Sequence, residues 1–201
     1  MLRIAIVGGG PSGVACALTL WAARHNPALP KDIQITLFDA GHSDLQKAAL
    51  WEVPGMPMGV VGSLLLSQMR QQVVDAGLAW HDLAIQRIKS QSSPFHLHAA
   101  NGDSWETDIV VLATGFKAFE IELEVQAPIM AHPHSMKSRV CLKVDSQSRL
   151  SQGFYVAGSL AGVYSMYATA IGSGTAVACN ILSELTGKPT VVHDVPVVEH
   201  I

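Results

Sequence analysis

Cysteine is scarce: the chain has three, Cys16, Cys141 and Cys179, far apart and odd in number. No C-x-x-C occurs, which excludes a sequence-local redox dithiol and a zinc knuckle, and a reducing cytoplasm is the simplest compartment for such a chain. Charge is scarce as well. Charged residues make up 14% of the 201 positions against 49% apolar ones, with a formal net charge of −3. A nucleic-acid partner is not expected, because such binding needs a basic face that this balance does not supply. The composition suits an α/β protein whose parallel strands are buried on both faces, and the length suits one domain with a sizeable core. No repeat, low-complexity tract or linker interrupts it.

Two stretches, 4–23 and 150–183, carry no formal charge. The first superficially resembles a signal peptide or a membrane span, and the second is long enough to cross a bilayer. Glycine argues against both: Gly8, Gly9, Gly10 and Gly13 break the first, and Gly158, Gly162, Gly172 and Gly174 break the second. Glycines so placed fit a backbone that passes close to a ligand, so no membrane partner is expected.

Residues 2–7 form a short aliphatic run that reads as a buried strand, 8–13 as a turn, and 14–25 as a helix stopped by Asn26-Pro27. A second strand covers 33–39, and a helix spans 61–76 with Gly77 as its C-cap. Three alternating segments, 84–89, 95–99 and 104–107, with Asn101-Gly102 between the last two, predict a small antiparallel meander. Another buried strand covers 108–112. Short strands fall near Ile129 and over 140–144, a last buried strand covers 153–157, and a long helix spans 164–186. The fold class is therefore α/β, a Rossmann-like nucleotide domain with a parallel central sheet, the meander on one face and helices on the other.

Gly8-x-Gly10-x-x-Gly13 is a weak signal alone, but a strand precedes it, a helix follows, and Asp39 ends the next strand. In that context Gly8 permits a tight turn, Gly10 lets backbone N–H groups approach a pyrophosphate, and Gly13 lets helix pack on strand. Pro11 and Ser12 lie within the loop, where the helix N-terminus offers partial positive charge to phosphates. Asp39, followed by Ala40, is placed to accept hydrogen bonds from ribose hydroxyls and to repel a 2′-phosphate. Both FAD and NAD satisfy these requirements.

The far end separates them. Phe154-Tyr155-Val156-Ala157-Gly158-Ser159 runs as a strand into glycine and a small polar residue, and the helix that follows carries Thr169-Ala170-Ile171-Gly172-Ser173-Gly174. Here the chain resembles the thioredoxin-reductase-like family of FAD-dependent pyridine nucleotide-disulfide oxidoreductases. Val53-Pro54-Gly55-Met56-Pro57 is similar to the family's flavin-side segment, residues 62–77 to the helix after it, Val110 through Ala113-Thr114-Gly115 to the exit from the first FAD half, and 153–158 to the re-entry. The resemblance implies FAD as cofactor. It puts Gly158 and Ser159 beside the ribitol and phosphates, and Tyr167 and Ala168 in the final helix, whose N-terminus faces the flavin pyrimidine where negative charge develops on reduction. It puts Glu52 beside the isoalloxazine, where it either accepts from N3–H or is a solvated loop acid.

The departures are equally specific. The family inserts an NADPH-binding domain between the two FAD halves, but only about 35 residues separate Gly115 from Gly153, too few for another doubly wound domain. No second G-x-G-x-x-G and no redox Cys pair exist. Ser159 replaces the family's Asp, and Ser165-Met166 replaces its Arg-Gln. The expected organisation is a single domain, with 1–116 and 150–201 forming the nucleotide site and 117–149 a short connector. Ser159 either bonds the ribitol or is a small turn residue. Tyr155, Tyr164 and Tyr167 are candidate flavin neighbours, with core packing favoured for Tyr155. His132 and His134 are a metal pair or proton donors, and lack a third ligand at readable spacing. Cys141 and Cys179 read as small buried hydrophobes, and Cys16, on the first helix near the pyrophosphate, as a residue chosen for size. The expected function is a flavin-dependent oxidoreductase fed by a redox partner protein or by NAD(P)H docking directly on the flavin, with a homodimer as a further possible partner arrangement. The alternative is a non-catalytic FAD-binding subunit for storage, assembly or sensing. No residue stands out as a catalytic acid or base.

Overall fold

The computed structural model describes residues 1–117 and 119–192. Residue 118 of the expected connector and 193–201 of the expected second half lie outside the described residues.

The aliphatic run at the start forms β1 (Leu2–Val7), followed by α1 (Pro11–Ala22) and a 3-10 turn at Ala23–His25. Proline's fixed φ and missing N–H suit the first helical position. The helix therefore starts three residues earlier than the periodicity predicts, and the turn shrinks to 8–10. Then come β2 (Ile33–Phe38), a 3-10 turn at Asp44–Lys47, the two-residue strands β3 (Ala49–Leu50) and β4 (Val60–Val61), and α2 (Gly62–Asp75). After β5 (Ala79–His81) the chain makes β6 (Ile85–Lys89), β7 (Phe95–Ala99) and β8 (Ser104–Thr107), then β9 (Ile109–Leu112). Residues 117–149 hold β10 (Glu122–Leu123), β11 (Ile129–Ala131) and β12 (Val140–Leu142). The last part is β13 (Arg149–Ser151), β14 (Phe154–Val156), a 3-10 turn at Gly158–Ala161 and α3 (Tyr167–Thr186).

Six strands form the main sheet in the order β13-β14-β9-β1-β2-β5. All its neighbours run parallel except β13, which returns antiparallel on β14. The register pairs Leu2 with Ile33 through Val7 with Phe38, Ile4 with Ile109, and Phe154 with Val110. The edge strands β5 and β13 were not expected. At three residues each they are too short to show a period.

Side chains alternate across the strands, so the apolar runs feed two cores. Ile4, Ile6, Ile35, Leu37, Val111 and Tyr155 face α1, α2 and α3. Ala5, Val7, Phe38, Val110, Leu112, Phe154 and Val156 face the second sheet. That sheet, β10-β6-β7-β8, is the antiparallel meander with β10 added parallel to β6. The arrangement is thus helices on one face and meander on the other, as the sequence predicts. Glycine sets the distance between helices: a Cβ on Gly174 of α3 would collide with the carbonyl oxygen of Ser12 in α1. Among the described residues no helix is long and apolar enough to cross a membrane.

Candidate cofactor site

Parallel pairing brings the C-terminal ends of β2, β1, β9 and β14 to one edge, and with them residues 39–40, 8–13, 113–115 and 158–159. Each glycine of the loop has its own reason. Gly8 has φ of +119° and donates its N–H to Phe38 O at 2.8 Å. A Cβ there would strike the carbonyl of Ala113, and one on Gly13 would strike the carbonyl of Gly8. Gly9 donates its N–H to Asp39 Oδ1 at 3.1 Å. Gly10 differs. Its backbone is extended, with φ −77° and ψ −175°, and a Cβ would meet nothing nearer than Ser43 Oγ at 3.6 Å. The fold requires glycine at 8 and 13 but leaves room at 10.

α1 starts at this opening. Val14 N–H already donates to Gly10 O at 3.0 Å and Pro11 has no N–H, so Ser12 and Gly13 present the first-turn N–H groups that lack intrahelical acceptors. The Ser12 side chain is buried. A Cβ on Gly158 would come within 2.5 Å of its Oγ, so Ser12 offers outward its backbone rather than its hydroxyl.

Asp39 is half-buried and its own N–H is taken by His81 O at 2.9 Å. Ala40 is exposed. Ala113 is buried and donates its N–H to Val7 O at 2.7 Å, while Thr114 is exposed and Gly115 has φ of +81°. On the last strand, Ala157 N–H donates to Leu112 O at 2.7 Å. Gly158, buried with φ of +70°, donates to Ser173 Oγ at 2.8 Å. Ser159 is half-buried in the 3-10 turn.

Glu52 stands apart from these strand ends, exposed on the loop between β3 and β4, where its Oε2 accepts the N–H of Trp51 at 2.9 Å. The final helix starts at Tyr167, three residues later than expected, because Tyr164 and Met166 keep non-helical backbone and Thr169 Oγ1 donates to their carbonyls at 2.7 and 2.9 Å. Tyr167 is half-buried against the helix-side core, its hydroxyl 3.9 Å from Met69 Sδ, and burial raises its pKa. Ala168 is exposed. Tyr164 is 55% exposed and stacks on His134 at 3.8 Å between ring centroids. This pair borders an open groove of about 550 Å³ that also touches Thr169, Gly172 and Ser173.

Tyr155 is core, as favoured, and donates its hydroxyl to Glu184 at 2.5 Å. Cys16 and Cys141 are buried, but Cys179 is only half-buried. His132 is buried and accepts the His134 N–H on Nδ1 at 3.2 Å. Sequence reasoning missed Trp80, whose indole edge lies against Gly9 on the side where the Asp39 carboxyl carbon also stands. Its placement depends on β5, which carries no legible signal.

No protein-family model matches the sequence. Thioredoxin reductase 1 of Saccharomyces cerevisiae is 28% identical over 124 residues, which is 60% of this chain and 39% of the yeast protein. A thioredoxin reductase of Debaryomyces hansenii is 31% identical over the same share of each. The chain thus matches about two fifths of the length of these curated relatives. Among solved structures, a thioredoxin reductase from Gloeobacter violaceus superposes with a TM-score of 0.73 at 16% identity, covering 97% of this chain and 99% of that one. The atypical thioredoxin reductase TRi from Desulfovibrio vulgaris Hildenborough gives 0.68 at 13% identity, covering 93% and 99%. At such identities the superpositions speak for the fold alone, and the sequence matches agree with them. The chain is thioredoxin-reductase-like in both sequence and fold.

Proposed function

We propose that the chain binds FAD and serves as a flavin-dependent oxidoreductase whose electrons come from a separate partner protein or from NAD(P)H docking directly on the flavin. In this reading residues 1–116 and 150–201 form the nucleotide site and 117–149 is a connector. The opening at Gly10 carries the proposal: it is the one glycine of the motif that the chain's own packing does not demand, and it adjoins the free N–H groups of α1.

When bound, FAD supplies the two-electron chemistry. The chain's residues bind and orient. Backbone N–H groups of Ser12 and Gly13, with the positive end of α1, neutralise the pyrophosphate. Asp39, with one carboxylate oxygen on the Gly9 N–H, would offer the other to the ribose. The first turn of α3, opened by Tyr167 and Ala168, favours negative charge in front of it. Gly158 and Ser159 hold the chain close to the ribitol side.

The purified protein is expected to be yellow, with oxidised-flavin absorption bands, and to release FAD rather than FMN on denaturation, since the glycine loop and Asp39 serve the half of the molecule that FMN lacks. A colourless protein that fails to take up added FAD refutes the reading. Bound FAD that no donor and acceptor turn over favours the non-catalytic subunit instead.

A further inference from the structure

Trp80 is the side chain closest to the glycine loop that neither the sequence motifs nor the resemblance account for. It sits mid-strand in β5, paired in register with Leu37 of β2, so its ring rises on the helix side next to the end of β2. The position where a Gly9 Cβ would stand lies 2.6 Å from Trp80 Cζ2 and 2.7 Å from Asp39 Cγ. The outer edge of the indole and the Asp39 carboxylate therefore flank the same Cα, with the Gly9 N–H bound to Oδ1.

The ring is itself held. Trp80 Nε1 donates to Asp82 Oδ1 at 3.1 Å, and Asp82 Oδ2 accepts from Arg70 Nη2 at 2.6 Å. The Arg70 guanidinium also lies over the indole face, 5.1 Å from the ring centroid. Arg70 comes from α2 and Asp82 from the loop after β5, so two elements outside the motif fix the ring. A carboxylate on a short side chain has free χ rotation unless something blocks it. Here the Gly9 N–H holds one oxygen, and the indole edge and the carboxyl carbon converge on one point beside the Gly9 Cα, so the ring bounds the side of Asp39 that faces the glycine loop and narrows the directions open to Oδ2.

We propose that Trp80, braced by Asp82 and Arg70, is the positioning residue that aims Asp39 at the ribose 2′-hydroxyl of the adenine nucleotide. This rests on the nucleotide-site reading above and adds to it a residue and a selectivity: the chain distinguishes ribose from 2′-deoxyribose through a tryptophan on a neighbouring strand.

The test uses the full chain in flavin-free form, titrated calorimetrically with ADP and with 2′-deoxy-ADP. A hydrogen bond to a charged acceptor predicts that the wild-type chain prefers ADP by about tenfold. Asp39→Ala removes that preference. Trp80→Ala is expected to reduce it to about twofold or less, and the double variant to behave as Asp39→Ala does, because both act on one hydrogen bond. Trp80→Phe keeps a ring over Gly9 but loses the bond to Asp82, and is expected to fall between wild type and Trp80→Ala. It also serves where the alanine variant fails to fold. Wild-type preference retained in either folded variant, or affinity lost equally for both nucleotides, overturns the role of Trp80. Equal affinity of the wild-type chain for ADP and 2′-deoxy-ADP overturns it too. Failure of the wild-type chain to bind ADP or FAD at all refutes instead the nucleotide-site reading on which it rests.

Discussion

At the scale of single residues, the glycine motif divides into positions that fold the chain and one that leaves room. Gly13 and Gly174 meet backbone carbonyls that cannot rotate away. Replacing Gly174 by Ala is expected to destabilise the protein by about 1–3 kcal/mol, the usual range for overpacking, read as a lowered urea midpoint. Gly10→Val is expected to do the opposite: the melting curve stays near that of the wild-type chain, since an extended backbone and open space accept a branched side chain, while FAD uptake falls by at least roughly tenfold. Full cofactor content in a folded Gly10→Val protein places the pyrophosphate elsewhere. The cysteines belong to this scale as well. Burial pushes the Cys16 thiol far up, and Cys141 moves the same way, so neither supplies a thiolate near neutrality. Replacing all three by Ala is expected to leave the flavin spectrum and its reduction unchanged. Loss of turnover with FAD still bound reveals a thiol step. Gly8, Gly10, Gly13 and Asp39 were legible because a motif fixes their spacing. Trp80 was not, because its contact arises only when β5 joins the sheet. Glu52 was placed by resemblance and stands on an exposed loop.

Among elements, the longer buried strands were legible, since buried parallel strands read as unbroken aliphatic runs, while the two- and three-residue strands β3, β4, β5, β10 and β13 were not. Helix starts were less so. α1 begins early because proline is comfortable at its first position, and α3 begins late because local hydrogen bonds to the carbonyls of Tyr164 and Met166 hold the chain open. One ion pair joins the sheet's middle strands at their N-terminal ends. Arg3 Nη2 and Asp108 Oδ1 lie 2.7 Å apart, and the Arg3 N–H donates to Asp108 Oδ2 at 2.8 Å. The Arg3 guanidinium holds the Asp108 carboxyl below the usual carboxylate range. A carboxyl with a lowered folded pKa stabilises the protein above its ordinary value, near 3.8, and loses that contribution as pH falls through the lower folded value. Asp108→Asn is therefore expected to lower the urea midpoint at pH 7, with the gap to the wild-type chain narrowing below about pH 4. A gap independent of pH assigns the loss to shape rather than charge.

For the whole molecule, the proposed function turns on what the short connector leaves out. Hydride transfer needs the nicotinamide C4 aligned against flavin N5, and such positioning is worth about 7–11 kcal/mol of barrier. Binding energy remote from the reacting ring normally supplies it. Among the described residues there is one glycine loop of the dinucleotide type, and the connector folds as three short strands rather than a second nucleotide unit. NAD(P)H alone is thus expected to reduce the bound flavin slowly, at a rate linear in its concentration, under anaerobic stopped-flow conditions. Fast, saturating reduction means that the connector, or a second copy of the chain, builds a nicotinamide site.

The connector leaves from the end of β9 and returns through β13 into β14, and β9 and β14 are adjacent parallel strands. The antiparallel β13 starts with Arg149 beside Tyr155, toward the end of β14 that pairs with the end of β9, so the segment leaves and rejoins the sheet at one edge with β14 between, about two strand spacings or 10 Å apart. That segment is built into the meander-side core, where Val125 and Leu142 are buried with Leu112, Phe154 and Leu160, so replacing it would uncover apolar surface as well as break the pairing of β10 with β6. Residues 117–149 thus act as a plug as well as a link: they join β9 to β13 across one sheet edge and at the same time seal the core beneath it.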